Sequence, residues 1–572
     1  MTWTERAGLF ARVAVGAACI VLAFAPWDIW PLAFIGLVPL LDRADDLSDR
    51  QLLGWAWLMG WLMNVGGFHW VTGLVRDFGE LPVIIGVLTM LLLCAQQALV
   101  YGLGFWFARK VERGTGLPLA WSLVPGLVAA EAVIPLVFPW RLGHSQVYHL
   151  PFVQSVELGG IMLTTALVVV INAIALTLWR WWRAGDRREP LPRIVAVGAA
   201  ILLLNHAWGL LRIHQIERDQ RAAPTVAIGL AEADISIRDK WDPGLYQRNL
   251  LIHQQLSAQL EQQGAELIVW PESAFELETF IYARRSDPQI RRWSTIHRDV
   301  SYVPQAATAL PASVDEDRVN RVPASERAAP QRGFTTPLLT GTTLLQVLTA
   351  DESAALPPSR RGPRRYQSYN SSMLLSDDGT VIGIADKSRL MPISEEIPWA
   401  TALWRATGVN LYTIVPSSGL MGKAEQGTVL TLPREGAEDV RIGVMVCYED
   451  LMPRFARDLQ RQGPNVLINL TNDAWFGRDT EPWQHLALAI PRAIEQRTWL
   501  IRSTNTGISA FVDATGRVVQ RSDPYGAEAL LQETALMPAR ATVFMAVGNW
   551  PAWSAIGVVL VGWWRSRRRV AS

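Results

Sequence analysis

Arg-Ile-Gly-Val-Met-Val-Cys-Tyr-Glu-Asp-Leu-Met-Pro, residues 441–453, is the stretch from which the rest of this chain is read. Ile442 to Val446 is a short apolar run of the kind that forms a buried strand, and it stops at Cys447. Glu449, Asp450 and the helix-forming run Arg454 to Gln462 follow. Strand, sharp turn, nucleophile and helix in succession lift a reactive side chain above a sheet edge, close to free backbone N–H groups. Taken alone, Cys447 is equally well explained as a structural thiol, the common fate of a free cysteine. Two further strand ends shift the balance. Val269-Trp-Pro-Glu-Ser sets Glu272 just past one apolar run, with Pro271 ending the ladder, and Ile384-Ala-Asp-Lys sets Lys387 past another. A carboxylate acting as base and an ammonium beside it favour the thiolate, and the ammonium can also hold the oxyanion of a tetrahedral intermediate. Glu272 or Lys387 alone reads as a surface charge; three such groups at three strand ends read as a site.

Composition narrows the class. The chain has 572 residues, enough for two or more domains, and half of them are hydrophobic. A net charge of +1 argues against a nucleic-acid partner. Three cysteines cannot build a disulfide framework, and Cys19 and Cys94 lie in apolar blocks, which leaves Cys447 alone in the polar middle. The eight histidines are scattered and no CxxC or HExxH occurs, so neither a metal nor a cofactor is expected. Of the 53 basic residues only four are lysine: Lys110, Lys240, Lys387 and Lys423. A chain that defaults to arginine keeps lysine where a compact cation is needed, which draws attention to Lys387.

The apolar residues come in blocks at 7–27, 29–42, 51–75, 82–107, 117–138, 157–179 and 194–212, with an eighth at 545–564. Several reach the roughly 20 apolar residues that cross a bilayer, and the block at 29–42 is short enough for a half-span or interfacial helix. The first block is followed by so many others that it reads as an anchor, not a signal peptide. Basic residues gather at 109–113, at 180–193 and after 564, which puts those loops and the N-terminus inside and the polar middle outside. The acidic 43–50 loop runs against that assignment. Gly66-Gly-Phe-His-Trp-Val and Phe138-Pro-Trp-Arg-Leu-Gly-His-Ser-Gln fall where the outer part would dock, as an aromatic belt or as the rim of a site open to the bilayer.

From about 222 to 540 short apolar strands alternate with helical patterns: Thr225 to Leu230, Glu266 to Trp270, Leu338 to Val347, Ser371 to Leu375, Val381 to Ala385, Asn465 to Leu470 and Ile508 to Asp513, with a helix over Asn249 to Gln263. This is an α/β layered pattern. Residues 283–334 and 350–365, rich in Arg, Pro and Ala, read as long loops without a core.

The Trp-Pro-Glu-Ser, Lys-Ser-Arg-Leu-Met-Pro and Cys-Tyr-Glu motifs resemble the nitrilase, or carbon–nitrogen hydrolase, superfamily. With the apolar blocks the whole chain resembles the bacterial apolipoprotein N-acyltransferases, from Ala23-Phe-Ala-Pro through Asn472-Asp-Ala-Trp-Phe-Gly and Pro482-Trp-Gln-His to Arg502-Ser-Thr-Asn-Thr-Gly and Gly548-Asn-Trp-Pro. The resemblance implies a polytopic helical membrane domain of about eight transmembrane helices (1–215, closed by a last helix and basic tail at 541–572). It also implies an external α/β nitrilase-like αββα sandwich at 222–540, interrupted by the 283–334 insertion. It makes Cys447 the nucleophile, Glu272 the general base, Lys387 the oxyanion stabiliser and Glu395 a second essential glutamate. Tyr448 and Glu449 match the two residues after the nucleophile, and Trp241 a tryptophan on a mobile substrate-facing segment. Glu449 also reads as a helix cap, and Trp475 and Phe476 either as substrate contacts or as packing between domain and membrane. The implied reaction moves an acyl chain from a membrane phospholipid through a Cys447 thioester to the α-amine of an N-terminal diacylglyceryl-cysteine. The implied setting is a monomer in the bacterial inner membrane with its catalytic domain facing the periplasm. A membrane-tethered nitrilase-type amidohydrolase is the alternative. The chain departs from the family pattern at Leu230-Ala-Glu-Ala-Asp-Ile and at Ile393-Ser-Glu.

Overall fold

A computed structural model describes residues 2–571 apart from 78, 80, 185–192, 241, 282–329, 360–361, 365, 393 and 415–419. Trp241 and nearly all of the 283–334 insertion thus lie outside the described residues.

The polar middle folds into two stacked sheets. The strands in chain order are β1 (Thr225–Glu232), β2 (Leu267–Val269), β3 (Phe275–Ile281), β4 (Leu338–Val347), β5 (Tyr366–Leu375), β6 (Val381–Asp386), β7 (Val429–Leu432), β8 (Val440–Val446), β9 (Val466–Thr471), β10 (Leu500–Thr504), β11 (Ala510–Val512), β12 (Val518–Arg521) and β13 (Glu528–Ala535). One sheet runs β13-β1-β2-β4-β5-β6, with β3 also on β4; the other runs β12-β11-β10-β9-β8-β7. Period-two alternation decides which side chain faces which layer. On β8, Val440, Ile442, Val444 and Val446 meet Val226, Ile228 and Leu230 of β1 and Leu267 and Val269 of β2 in the core between the sheets. Met445 points the other way, with Leu467 and Leu500, onto Phe455, Leu459, Leu486 and Ile490 of the covering helices. Behind the first sheet, Leu250 and Leu260 of the helix Tyr246–Gln262 cover Ile268, Leu338 and Trp270. The order of layers is helix, sheet, sheet, helix, the αββα sandwich expected.

The expected strands are present within a few residues of their read bounds. The 350–365 stretch is not wholly loop: Thr349 and Glu352 form a capping box that starts the helix Ala350–Ala354.

The remaining chain is helical. Three stretches among the described residues are long and apolar enough to cross a membrane: Val83–Thr115, Ile161–Ala184 and Arg193–Ala222. The helices Trp3–Leu22, Asp49–Phe68, Leu119–Val133 and Trp550–Ala571 pack with them. The short block at 29–42 forms a 3-10 turn (Trp30–Phe34) and one helical turn (Val38–Leu41), too short to be a spanning helix by itself. At 1.5 Å per residue the 30-residue helix Arg193–Ala222 is about 45 Å long, more than the roughly 30 Å of hydrocarbon. Its last turns therefore leave the apolar layer, and Ile216 is buried in the core between the sheets.

The acidic loop that contradicted the charge rule has a local explanation. Asp49 pairs with Lys110 at 2.9 Å and Arg113 at 2.6 Å, and Asp45 pairs with Arg180 at 2.8 Å. The acids at 43–50 thus lie on the same face as the basic loops and are paired by them. The C-terminal helix ends there too, because Gly562 approaches Gly114 so closely that a Cβ on Gly114 would strike the Gly562 carbonyl.

The opposite face carries the sandwich. Glu157, at the end of a helical turn beside Ile161–Ala184, accepts from Arg212 at 2.6 Å and from Arg497 of the sandwich at 2.6 Å, while Arg497 also donates to Gln154 at 2.7 Å. Arg497 is fully buried. Removing one partner of a buried pair strands the other charge, at a cost of about 3–5 kcal/mol. Arg497→Met should therefore lower the thermal unfolding midpoint of the detergent-solubilised protein clearly. An unchanged midpoint would show that this contact does not hold the two parts together.

Candidate active site

Three strand ends converge on one buried cluster. β2 runs out through Trp270 and Pro271 into a tight turn that holds Glu272, where Ser273 has φ +50°. The turn lies against Gly341 of β4 at a distance that excludes any side chain there, since a Cβ would come within 2.5 Å of the Ser273 nitrogen and 2.6 Å of the Pro271 oxygen. β6 ends at Asp386 and delivers Lys387. β8 ends at Val446 and delivers Cys447, whose φ of +52° is left-handed, a conformation that costs a non-glycine residue about 1–3 kcal/mol. Asn469 of β9 donates to the Cys447 carbonyl at 3.0 Å and holds the turn in place.

Lys387 is 1% exposed, and its Nζ lies 2.9 Å from Glu395 Oε2, 3.0 Å from Glu395 Oε1 and 3.8 Å from Glu272 Oε1. Asn370 of β5 bridges the two acids, donating to Glu272 Oε1 at 2.6 Å and to Glu395 Oε1 at 3.1 Å. Glu395 Oε2 also accepts from the Met391 N–H at 2.8 Å. Glu272 Oε2 is buried and has no partner among the described residues, which leaves one carboxylate oxygen able to take a proton. Burial pushes the Glu272 carboxyl up against the opposing pull of Lys387. Burial opposes the charge on Lys387, but Glu395, Cys447 and Glu272 outweigh it and its pKa rises. Burial and then Glu272 drive the Cys447 thiol well above its ordinary value, with Lys387 acting the other way. Burial and Glu272 thus favour the thiol, and Lys387 favours the thiolate.

Glu449 is not a simple cap. In the 3-10 turn Cys447–Leu451 its Oε2 accepts from the Val446 N–H at 2.8 Å, and its Oε1 accepts from the N–H groups of Ser388 at 2.7 Å and Arg389 at 2.9 Å. One carboxylate therefore ties the turn of the cysteine to the turn of the lysine, and burial raises its pKa to about 7. Tyr448 Oη donates to the Val137 carbonyl of the helical part at 2.6 Å. Phe476 is buried edge-on to Trp70 at 5.1 Å, in a row with Phe138, so it packs the junction; Trp475 lies half-buried beside it. The expected Gly66–Val71 and Phe138–Gln146 segments both meet the sandwich here, with Gln484 accepting from Trp70 Nε1 at 3.1 Å and donating to the Gly67 carbonyl at 2.9 Å.

Asn370, Asn469, Lys240 and a second buried cluster were not read from the sequence as site residues. An asparagine inside a strand is a weak signal by itself; Lys240 had a stronger one, as one of four lysines. In the second cluster His485 donates to Asp473 at 2.9 Å and to Asp450 at 3.2 Å, and Arg502 pairs with Asp450. The ligand atoms of Asp473, Glu481 and His485 lie within 4.8 Å of one another, a spacing also found in metal sites. Arg502 pairs with Asp450 beside them, the aspartates raise the pKa of His485 to about 10 against its burial, and burial and then Asp473 push the Glu481 carboxyl up. It links the turn after Cys447 to the turn bearing Trp475 and Phe476.

Two family models match, in the same order as the two structural parts. That of the apolipoprotein N-acyltransferase N-terminal domain covers residues 16–174, and that of the carbon–nitrogen hydrolases covers residues 350–537. The apolipoprotein N-acyltransferase of Geobacter metallireducens is 28% identical over 568 residues, spanning 98% of this chain and 96% of that one. That of Azotobacter vinelandii is 28% identical over 586 residues, spanning 100% and 97%. Among solved structures, an amidase from Nesterenkonia sp. is 16% identical, covering 55% of this chain and 92% of its own, with a TM-score of 0.31. Sandwich, cysteine turn and apolar helices define a membrane-embedded enzyme of the carbon–nitrogen hydrolase superfamily. Within it, the chain is similar along its whole length to the apolipoprotein N-acyltransferases.

Two tests follow from the geometry. Glu449→Gln turns an amide N–H₂ toward backbone donors and leaves at least one of them unsatisfied, at about 1–3 kcal/mol. Its unfolding midpoint should fall, and alkylation of Cys447 should slow with it; wild-type alkylation would show that the two turns need no shared carboxylate. The pKa of His485 is raised from 6.5 to about 10: burial opposes the charge, but Asp473 and Asp450 prevail over it and over Arg502. The stability it contributes is complete below about 6.5 and is lost as pH rises through about 10. The midpoint gap between wild type and His485→Gln should therefore be widest at the acid end of that window and narrow toward its alkaline end. A gap independent of pH would show a neutral histidine.

Proposed function

We propose that this protein N-acylates lipoproteins with Cys447 as nucleophile, Glu272 as general base and Lys387 as the cation facing the developing oxyanion. One observation carries the reading for these residues: Cys447 packs both into the core between the sheets and into the apolar cluster of the helical part, beside Met391, Met452 and Trp475. A nucleophile at that seam is reached from the bilayer side, which suits an acyl ester of a phospholipid better than a soluble amide.

In the first half-reaction the thiol proton passes to the free Oε2 of Glu272 while sulfur attacks the ester carbonyl. The tetrahedral oxyanion collapses, the C–O bond breaks, and Glu272 returns the proton to the departing lysophospholipid alkoxide, leaving a thioester. In the second, the α-amine of a diacylglyceryl-cysteine attacks the thioester. Glu272 takes a proton from the amine and passes it to the leaving sulfur, so an amide forms and the thiol is restored. Glu395 holds Lys387 in place, and Glu449 and Tyr448 hold the cysteine turn. Trp241, Trp475 and Phe476 are proposed to flank the lipid substrates. No cofactor enters either step.

The proposed setting is a monomer in the inner membrane, with about eight spans in 1–215 and 541–572 and the catalytic domain (222–540) facing the periplasm. Support comes from the basic residues Arg113, Arg180 and Lys110 on the face away from the sandwich, the side that the positive-inside rule assigns to the cytoplasm.

Intact-protein mass spectrometry after incubation with phospholipid tests the reaction, with Cys447→Ala as the control. A hydroxylamine-sensitive acyl adduct that needs Cys447 and is discharged by a diacylglyceryl-cysteine peptide is the expected result. An adduct cleared by water alone would favour the amidohydrolase, and none at all would overturn the reading.

A further inference from the structure

The charges around Glu272 do not balance without a group that the reaction scheme leaves out. Lys387 is committed to Glu395, at 2.9 and 3.0 Å, and stands 3.8 Å from Glu272. Glu272 receives one hydrogen bond on Oε1, from the neutral Asn370, and none on Oε2 among the described residues. Two carboxylates and one ammonium in a dry pocket carry a net negative charge, and the less favoured acid in such a pair takes up a proton. A protonated Glu272 cannot accept the proton of Cys447.

A second cation is present. Lys240, 2% exposed, closes the helical turn Ile237–Lys240 after β1, and its Nζ donates to the backbone carbonyl of Glu272 at 2.8 Å. Its charge favours the ionised form of the Glu272 carboxyl. The turn that carries it is anchored from the other sheet by Asn505, whose side chain accepts from the Ile235 N–H at 3.3 Å and donates to the Ile235 carbonyl at 2.8 Å. His253, which also faces Lys240, is no substitute for it: burial lowers its pKa to about 4, so it is neutral. Among the described residues, Lys387, Glu395, Cys447 and Asp473 are further charged or titratable groups around Glu272 and its partner thiol, and Glu449 faces Lys387.

We propose that Lys240 is a positioning residue for the reaction: its buried ammonium, bonded to the Glu272 carbonyl, is the second cation that keeps Glu272 ionised as the base for Cys447. This rests on Glu272 being the base, as read above, and it adds a function to the segment just before Trp241. With Lys240 the site holds two cations and two carboxylates. Lys387 is then free to answer Glu395 and the oxyanion, while Lys240 answers the base through its backbone turn.

The test is the pH dependence of Cys447 alkylation by iodoacetamide in the full-length, detergent-solubilised protein, which needs no lipid. Lys240→Gln keeps a donor for the Glu272 carbonyl but removes the charge. Its acid limb should move up by about one pH unit, roughly tenfold in rate on the acid side, the low end of what an opposite charge nearby does to a carboxyl. Lys240→Arg should keep the limb near its wild-type position. In a Glu272→Gln background Lys240→Gln should leave the limb unmoved, because the carboxyl is gone. A Lys240→Gln profile that is only scaled down, or a shift that persists in the Glu272→Gln background, would overturn the proposal in favour of a structural lysine. Should Lys240→Gln not fold, Lys240→Met is held to the same criteria. If acyl transfer itself fails in the mass-spectrometric test while the alkylation limb shifts as stated, the lysine–glutamate coupling stands and only the substrate reading falls.

Discussion

An ammonium as deeply buried as Lys387 is stable only among anions, and the whole site is arranged around that requirement. Glu395 supplies the close partner, Glu272 the second, and Asn370 holds both carboxylates at one spacing. Each of these groups is delivered by a different strand end or loop, so the charge cluster forms only when both sheets are stacked and in register. Glu449 makes the dependence mutual. By accepting from Val446, Ser388 and Arg389 it fixes the cysteine turn to the lysine turn, so nucleophile and cation move as one unit. The same burial and the nearby Glu272 push the Cys447 thiol up, and a thiol is a weaker nucleophile than its thiolate.

The second constraint is the seam between sandwich and helices. It is held by buried polar contacts set within apolar packing: Tyr448 to Val137, Arg497 to Glu157, and Gln484 to Trp70 and Gly67. Such contacts cost desolvation, and they return it as registration, because a buried donor out of place would be left without its acceptors. The rings of Trp70, Phe138 and Phe476 fill the space between them. Cys447 lies where the two cores meet.

Much of this was legible in the chain. The run from Ile442 to Cys447, the proline after Trp270 and the apolar run before Lys387 marked three strand ends, and they meet as read. The apolar blocks were read as helices and are helical, though the block at 29–42 holds only a 3-10 turn and one helical turn and the structure singles out three stretches by length and composition. β10 escaped reading because Arg502 interrupts its apolar pattern, and β13 because Glu528 and Glu533 mark it as surface. The acidic loop at 43–50 looked like a violation of the charge rule until its partners, 60 residues and more away, were seen beside it.

What the sequence alone determined was local: alternation sets the layers, apolar length sets the helices, and turn residues place a cysteine, a glutamate and a lysine at strand ends. Those properties depend on residues near one another in the chain, so a periodic pattern carries them. The state of the site was decided by tertiary structure. That burial and Glu272 push the Cys447 thiol up, that Lys240 stands behind Glu272, that Glu449 joins two turns, and that His485 and Arg502 meet two buried aspartates all depend on which charges share a dry pocket. Coulomb energy in such a pocket is set by distances of a few ångströms between residues tens to hundreds apart in sequence, and no local pattern encodes it.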